Sequence, residues 1–299
     1  MWIQLGIATV VIVIGASLLL RYVNPFRTYP TPGLPTAHPT LAMMKLPSQP
    51  QTKAFERNGY LLDYSNSDQG YISVKGPQDD TVKKVQVAFG AMTYTYDVFG
   101  DRFTVLPLQG GTGSYTIKML RNIEGNRYSV AASTTIDVVV PDELTIYLYP
   151  NQIVDYDQET KAVLKSFEIT ADDESEIKRV HTVYNYVVDL LGYDQAKADR
   201  ANDIFMLPDL DELLRTEKGI CFDYAALMTA MLRVLGIPTR LITGYTDIAY
   251  HAWVEVYIKD VGWINPRIHF AAEEWKRVDP TFDDSFGIYL GDYQTKYTY

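Results

Sequence analysis

The hydrophobic period of this chain shifts from strand-like to helical between residues 141 and 172, and that shift limits the folds open to it. Before it, "YISVK" (71–75), "VQVAF" (85–89), "YTYDV" (94–98), "SYTIKML" (114–120) and "STTIDVVV" (133–140) are short runs of β-branched and aromatic residues. Turn chemistry separates them, in "KGPQDD", "VFGD", "QGGTG" and "IEGN". Short strands at this spacing predict a small β-sandwich over 58–150. No ionisable cluster in it resembles a site, so its expected role is structural or adhesive. After a transition segment, "DDESEIKRVHTVYNYVVDLLGY" places Ile177, Val180, Tyr184, Val187 and Leu191 at three- and four-residue steps, the period of an amphipathic helix. Strands first and helices later predict an α+β chain.

Two segments precede the sandwich. "IQLGIATVVIVIGASLLL" (3–20) carries no charge and ends at Arg21. As a helix it would span about 27 Å, close to the thickness of a hydrocarbon core. Trp2 and Tyr22 stand where interfacial aromatics belong. A cleaved leader fits less well, because no small-x-small site comes after the apolar run. The expectation is a single transmembrane anchor over 1–22. Residues 23–57 then hold prolines at 25, 30, 32, 35, 39, 47 and 50. Proline fixes φ and removes a donor, which predicts an extended Pro-rich stalk, with a loop wrapped on the protein surface as the alternative. Arg21 and Arg27, taken alone, favour a cytoplasmic side for the C-terminal bulk of the chain.

A formal charge of −10 disfavours nucleic acid and anionic membrane surfaces as partners. There is one cysteine, Cys221, so no intramolecular disulfide can form. The acidic run Asp172 to Glu176 lacks the alternation and central glycine of a calcium loop and reads as a helix cap. No metal and no cofactor is expected.

Cys221 comes two residues after Gly219 and begins an apolar stripe through Ala225, Met228, Leu232 and Leu235, which Gly236 and Pro238 stop. Gly219 is expected to allow a tight turn there. Unpaired N–H groups and the macrodipole at a helix N-terminus favour a thiolate, as a nucleophile requires. Position alone leaves an inert buried thiol equally open. The segments C-terminal to the helix decide between them. "RLITGYTD" and "HAWVEVYI" (251–258) read as strands, with His251 heading the second, and "WKRVDPTF" (275–282) puts Asp279 at a strand end. A nucleophilic cysteine needs a base, and the base needs an orienting carboxylate. Asp247 and Asp223 are other acids within reach and are expected at the surface or behind the site. His181 and His269 are expected to be structural, and Trp253 and Trp263 to be core.

Together "GICFDYAALMTAMLRVLGIPTRLITGY", "HAWVEVY", "GWIN" and "VDPTF" resemble the transglutaminase-like superfamily of papain-related thiol enzymes, over about 169–299. The arrangement is most similar to bacterial surface proteins in which a β-domain precedes that core. The resemblance implies a transglutaminase-like α+β domain over 151–299, with Cys221 as nucleophile, His251 as base and Asp279 as orienting carboxylate, and no cofactor. It implies a protein or peptide substrate, possibly associated with the cell wall, and amide chemistry through a thioester, ending in hydrolysis or acyl transfer. With the stalk it outweighs the Arg21/Arg27 bias and places the folded part outside the cytoplasmic membrane. Two rivals are a cell-wall peptidase of the NlpC/P60 type and a non-catalytic surface scaffold.

Overall fold

The computed structural model describes residues 36–201, 205–246, 250–265 and 293–299, all within one compact unit, residues 34–299. The first layers are two four-stranded antiparallel sheets. One has the order β1 (Ala54–Arg57), β2 (Tyr60–Asp63), β3 (Tyr71–Lys75), β6 (Thr104–Pro107). The other runs β5 (Met92–Val98), β4 (Lys83–Phe89), β7 (Gly113–Glu124), β8 (Arg127–Val138). Alternation drives their pairing. Val85 and Val87, Tyr94 and Tyr96, and Tyr115, Ile117 and Met119 turn inward to meet Leu62, Ile72, Val74 and Leu106 in one apolar core. The polar residues between them, such as Gln86 and Thr116, are only half-buried.

The five strand runs read from the sequence fall on β3, β4, β5, β7 and β8. Short β1, β2 and β6 are additional, since four residues hold too little alternation to stand out. The Pro-rich segment also differs from the expected stalk where it is described. Thr36 N–H donates to the Glu174 carbonyl at 2.8 Å, and buried Arg179 donates to Thr36 Oγ1 at 2.8 Å. Ser48 N–H donates to the Tyr71 hydroxyl, Gln51 N–H to the Asp63 carboxylate, and Met44 enters the core. Residues 36–53 are therefore strapped along the folded body, and β1 begins inside the predicted linker. Several of the N–H groups that the prolines leave find partners on the folded body, among them those of Thr36, Ser48, Gln51 and Lys53. Residues 23–35 and the predicted anchor, 1–22, lie outside the described residues. Among the described residues, no helix is long and apolar enough to cross a membrane.

The second half holds five helices among the described residues: α1 (Lys161–Ile169), α2 (Glu176–Leu190), α3 (Gln195–Ala201), α4 (Leu210–Thr216) and α5 (Cys221–Val234). The predicted stripe is α2, whose Val180, Val183, Tyr184 and Val187 are buried. Its cap is Ser175, accepting from Lys178 N–H, so Asp172 to Glu174 precede the helix and Glu176 stands in its first turn. A parallel two-stranded pair, β9 (Gly192–Tyr193) with β10 (Lys218–Gly219), leads into α5. A third antiparallel sheet has the order β13 (Gly262–Ile264), β12 (Tyr250–Ile258), β11 (Thr239–Thr246), β14 (Tyr293–Thr298). Helix α5 packs against β11, β12, α1 and α2. It is buried on every side from Asp223 to Val234, beyond the single stripe its apolar spacing suggests. A helix enclosed all round is a core element rather than a surface one.

Arg233 near the end of α5 is 1 % exposed. Its guanidinium donates to the carbonyls of Thr239 (2.9 Å), Tyr149 (2.7 Å) and Tyr299 (2.7 Å). One side chain thus joins the helix, the start of β11, the segment after the sandwich and the final strand. Burial lowers its pKa to about 10, so it remains charged at neutral pH. Tyrosines extend the same seam, with Tyr94 packing its ring on Tyr297 and Tyr299 at 5.3 and 5.8 Å. Arg233→Met keeps the volume but strands the buried carbonyls of Thr239 and Tyr149, at about 1 kcal/mol or more each, while the Tyr299 carbonyl keeps the Leu241 N–H at 3.0 Å. The expected loss is roughly 2 kcal/mol, or about 4–8 °C in Tm for a unit of this size. Thermal unfolding followed by circular dichroism checks it, and a shift under about 2 °C would contradict the role.

Candidate active site

Cys221 is the first residue of α5 and is partly exposed, and it is the one thiol in the sequence. The helix end is built from the residues around it. Ile220 is the N-cap, and its carbonyl accepts from Asp223 N–H (2.8 Å) and Tyr224 N–H (3.1 Å). Asp223, three residues on, turns its Oδ2 back to accept from Ile220 N–H at 2.9 Å. This is the returning half of a capping box, made by a carboxylate. Tyr224 donates its hydroxyl to the Leu191 carbonyl at 2.5 Å, binding the helix start to the end of α2.

Of the two places expected for Asp223, at the surface and behind the site, the structure takes the second. Rather than lying at the surface, it is 1 % exposed and holds the loop before Cys221. Lys197 Nζ meets both its oxygens, at 2.8 and 2.7 Å. Lys197 in turn belongs to α3, whose first turn is fixed by Asp194: Lys197 N–H donates to Asp194 Oδ1 at 2.9 Å. Asp194 N–H donates to the Gly219 carbonyl at 2.9 Å, closing a ring of contacts around the loop. Gly219 is a correction to the sequence reading. Its backbone does not adopt a positive φ; a Cβ there would instead lie 2.8 Å from Asp223 Cβ. Glycine is needed for close approach, and the tight left-handed position belongs to Glu217 (φ 53°).

His251 is 5 % exposed and lies in β12 opposite Gly244 of β11. The chain path sets which end of the sheet that is. Gly236 in the left-handed region (φ 78°) ends α5, with Ile237 N–H donating to the Leu232 carbonyl, and reverses the chain into β11. From Arg233 back to Cys221 is about 18 Å along the helix. From Thr239 forward to Gly244 is about 17 Å along the strand. Because α5 packs on β11 and β12, Cys221 and His251 arrive at the same end of the unit. Gly244 is tightly enclosed there: a Cβ would fall 2.1 Å from the Gln294 carbonyl oxygen and 3.0 Å from Trp253.

Asp279, the predicted orienting carboxylate, lies outside the described residues, as do Asp247 and His269. His181 sits on α2 within hydrogen-bonding distance of Asn185. Trp253 is buried, as expected. Trp263 packs edge-on to Tyr147 at 5.3 Å, with the Arg240 guanidinium 3.6 Å above its ring. Two neighbours of the thiol are not legible in the sequence. The Tyr193 phenol is pushed above its ordinary pKa by burial and next by Cys221. Phe222 packs its ring on Phe205 at 5.9 Å. The Ile220-to-Asp223 capping spacing is the one available signal for Asp223; Lys197 has none, being 26 residues away in the chain. No cluster suited to a metal ion occurs among the described residues.

Residues 165–266 match the family model for the transglutaminase-like superfamily. An uncharacterised protein of Bacillus subtilis, YebA, is 28 % identical over 123 residues, covering 33 % of this chain and 16 % of its own. A protein-glutamine gamma-glutamyltransferase of Pseudomonas aeruginosa is 31 % identical over 86 residues, covering 24 % and 11 %. The chain thus spans less than a fifth of the length of these relatives. Among solved structures, a candidate cysteine protease of Cytophaga hutchinsonii aligns at TM-score 0.38 and 15 % identity, over 77 % of this chain and 91 % of that one. The periplasmic domain of TgpA from Pseudomonas aeruginosa aligns at 0.34 and 15 %, over 78 % and 73 %. These structural likenesses are distant. The family-model match over residues 165–266 takes in α5, β11 and β12, and with them both Cys221 and His251, so this part of the chain is similar to the transglutaminase-like superfamily.

Proposed function

We propose that this chain is a membrane-anchored cysteine enzyme of the transglutaminase-like type, acting on amide bonds of proteins or peptides through a Cys221 thioester. What supports the reading is that the sole cysteine heads a buried helix packed on the strand in which His251 is the second residue, with the chain path bringing both to one end of the unit. In this mechanism the Cys221 thiolate attacks the amide carbon, and the electron pair moves to the carbonyl oxygen. The backbone N–H of Cys221 at the helix N-terminus is a natural donor to that oxyanion. Collapse expels the amine, which takes its proton from His251 and leaves the thioester. Asp279 orients the imidazole and stabilises its charged form without taking the proton. Water then gives hydrolysis or deamidation, and an amine gives cross-linking. We favour water, because it needs no dedicated acceptor site. The likeness to a protein-glutamine gamma-glutamyltransferase supports a glutamine carboxamide as one acyl donor to try.

The test is acid-quenched intact mass spectrometry of the full chain incubated with glutamine-containing proteins, peptides and muropeptides. An adduct on Cys221 is expected, absent in Cys221→Ala and formed at least about a hundredfold more slowly in His251→Ala, the scale of general acid–base catalysis. Asp279→Ala should slow it with the fold retained. Cadaverine in the product marks a transferase, and a shortened or deamidated product marks a hydrolase. Adducts from muropeptides alone would favour the NlpC/P60 reading. A thiol that alkylates readily yet never acylates would favour a scaffold.

The same proposal places the folded unit outside the cytoplasmic membrane, held by residues 1–22. Protease added to intact cells should then release it. Digestion only after lysis would reverse the orientation.

A further inference from the structure

Asp223 holds two positions that conflict if Cys221 is the nucleophile. Its carboxylate is needed to cap Ile220 and so to set the helix end. The same carboxylate is buried two residues from the sulfur, where a second negative charge is disfavoured. Burial weakens solvent screening and makes that opposition stronger than it would be at the surface. Lys197 meets both carboxylate oxygens, its side chain 18 % exposed against 1 % for Asp223. We propose that Lys197 is a positioning residue of the Cys221 site, whose ammonium cancels the Asp223 charge so that the carboxylate fixes the helix end without opposing a thiolate.

The surroundings support an arranged contact rather than a chance ion pair. Lys197 comes from α3, and Asp194 ties that helix to the Gly219 carbonyl, one residue before the cap. The cation and the loop it serves are therefore held by one set of hydrogen bonds. Gly219 leaves the space that Asp223 occupies. A surface ion pair would contribute little and tolerate either partner's loss, whereas a buried one leaves an uncompensated charge when one partner is removed.

This inference rests on the nucleophile reading, and its test is made on the thiol alone. The full chain and its variants are alkylated with iodoacetamide at pH 7, and the rate on Cys221 is read by intact mass. Lys197→Met should react about tenfold more slowly, the effect of one pKa unit from an uncompensated neighbouring charge. Lys197→Arg should stay within about threefold of the unmodified chain, since it keeps the charge. Asp223→Asn keeps an oxygen for the Ile220 cap and removes the charge, so it should react at least as fast as the unmodified chain. Lys197→Met combined with Asp223→Asn should return to within about threefold, a recovery that a purely structural tie would not give. If Lys197→Met fails to fold, the Asp223→Asn rate and the double variant still decide. A slower Asp223→Asn, an unchanged Lys197→Met, or a double variant as slow as the single one would overturn the proposal. Because no substrate takes part, a chain that shows this pattern yet forms no thioester would overturn the enzyme reading and leave the role of Lys197 standing.

Discussion

The buried guanidinium of Arg233 is the constraint on which the arrangement of the second half depends. A cation inside an apolar core is costly unless each donor finds an acceptor. Here the acceptors are main-chain carbonyls at residues 149, 239 and 299, drawn from parts of the chain far apart in sequence. Their convergence fixes the end of α5 against the start of β11, the final strand and the segment leaving the sandwich. Once that end is fixed, a helix of 14 residues and a strand of eight run back side by side. The proposed Cys221–His251 site lies at their far ends, well away from the contact that fixes the near ones.

At the far end the requirement is reversed. A nucleophile's helix end needs precise backbone and some openness, and an enclosed helix such as α5 would ordinarily bury its first turn. The loop from Glu217 to Ile220 solves this locally. The β9–β10 pairing sets its direction, Asp223 caps it, and Cys221 is left partly exposed. The sandwich contributes less directly. Its tyrosines pack against the final strand and against the sheet that carries His251, so the two layers share one apolar core.

Much of this is legible from residue patterns, and the exceptions have physical causes. Strands β3, β4, β5 and β7 and helices α2 and α5 have enough length for their periods to show. Helix α1, "KAVLKSFEI", does not stand out because nine residues hold barely two apolar repeats. Helices α3 and α4 are seven residues each and are stabilised by caps and tertiary contacts more than by a stripe. The Pro-rich segment reads as detached because proline content reports stiffness and missing donors. It does not report whether a surface such as that around Arg179 is present to receive the chain.

By itself the sequence determined the α+β class, the order of sandwich before helices, the position of Cys221 at a helix start and of His251 at a strand start. Each of these rests on neighbours within a few residues, where period, cap and turn chemistry act. The tertiary structure alone decided that α5 is enclosed on every side, that Asp223 is a buried cap, that Gly219 is small for want of space, and that Lys197 is the counter-ion of Asp223. Those facts depend on contacts between residues tens of positions apart. Burial and charge pairing are properties of the assembled surroundings, and no local pattern encodes them.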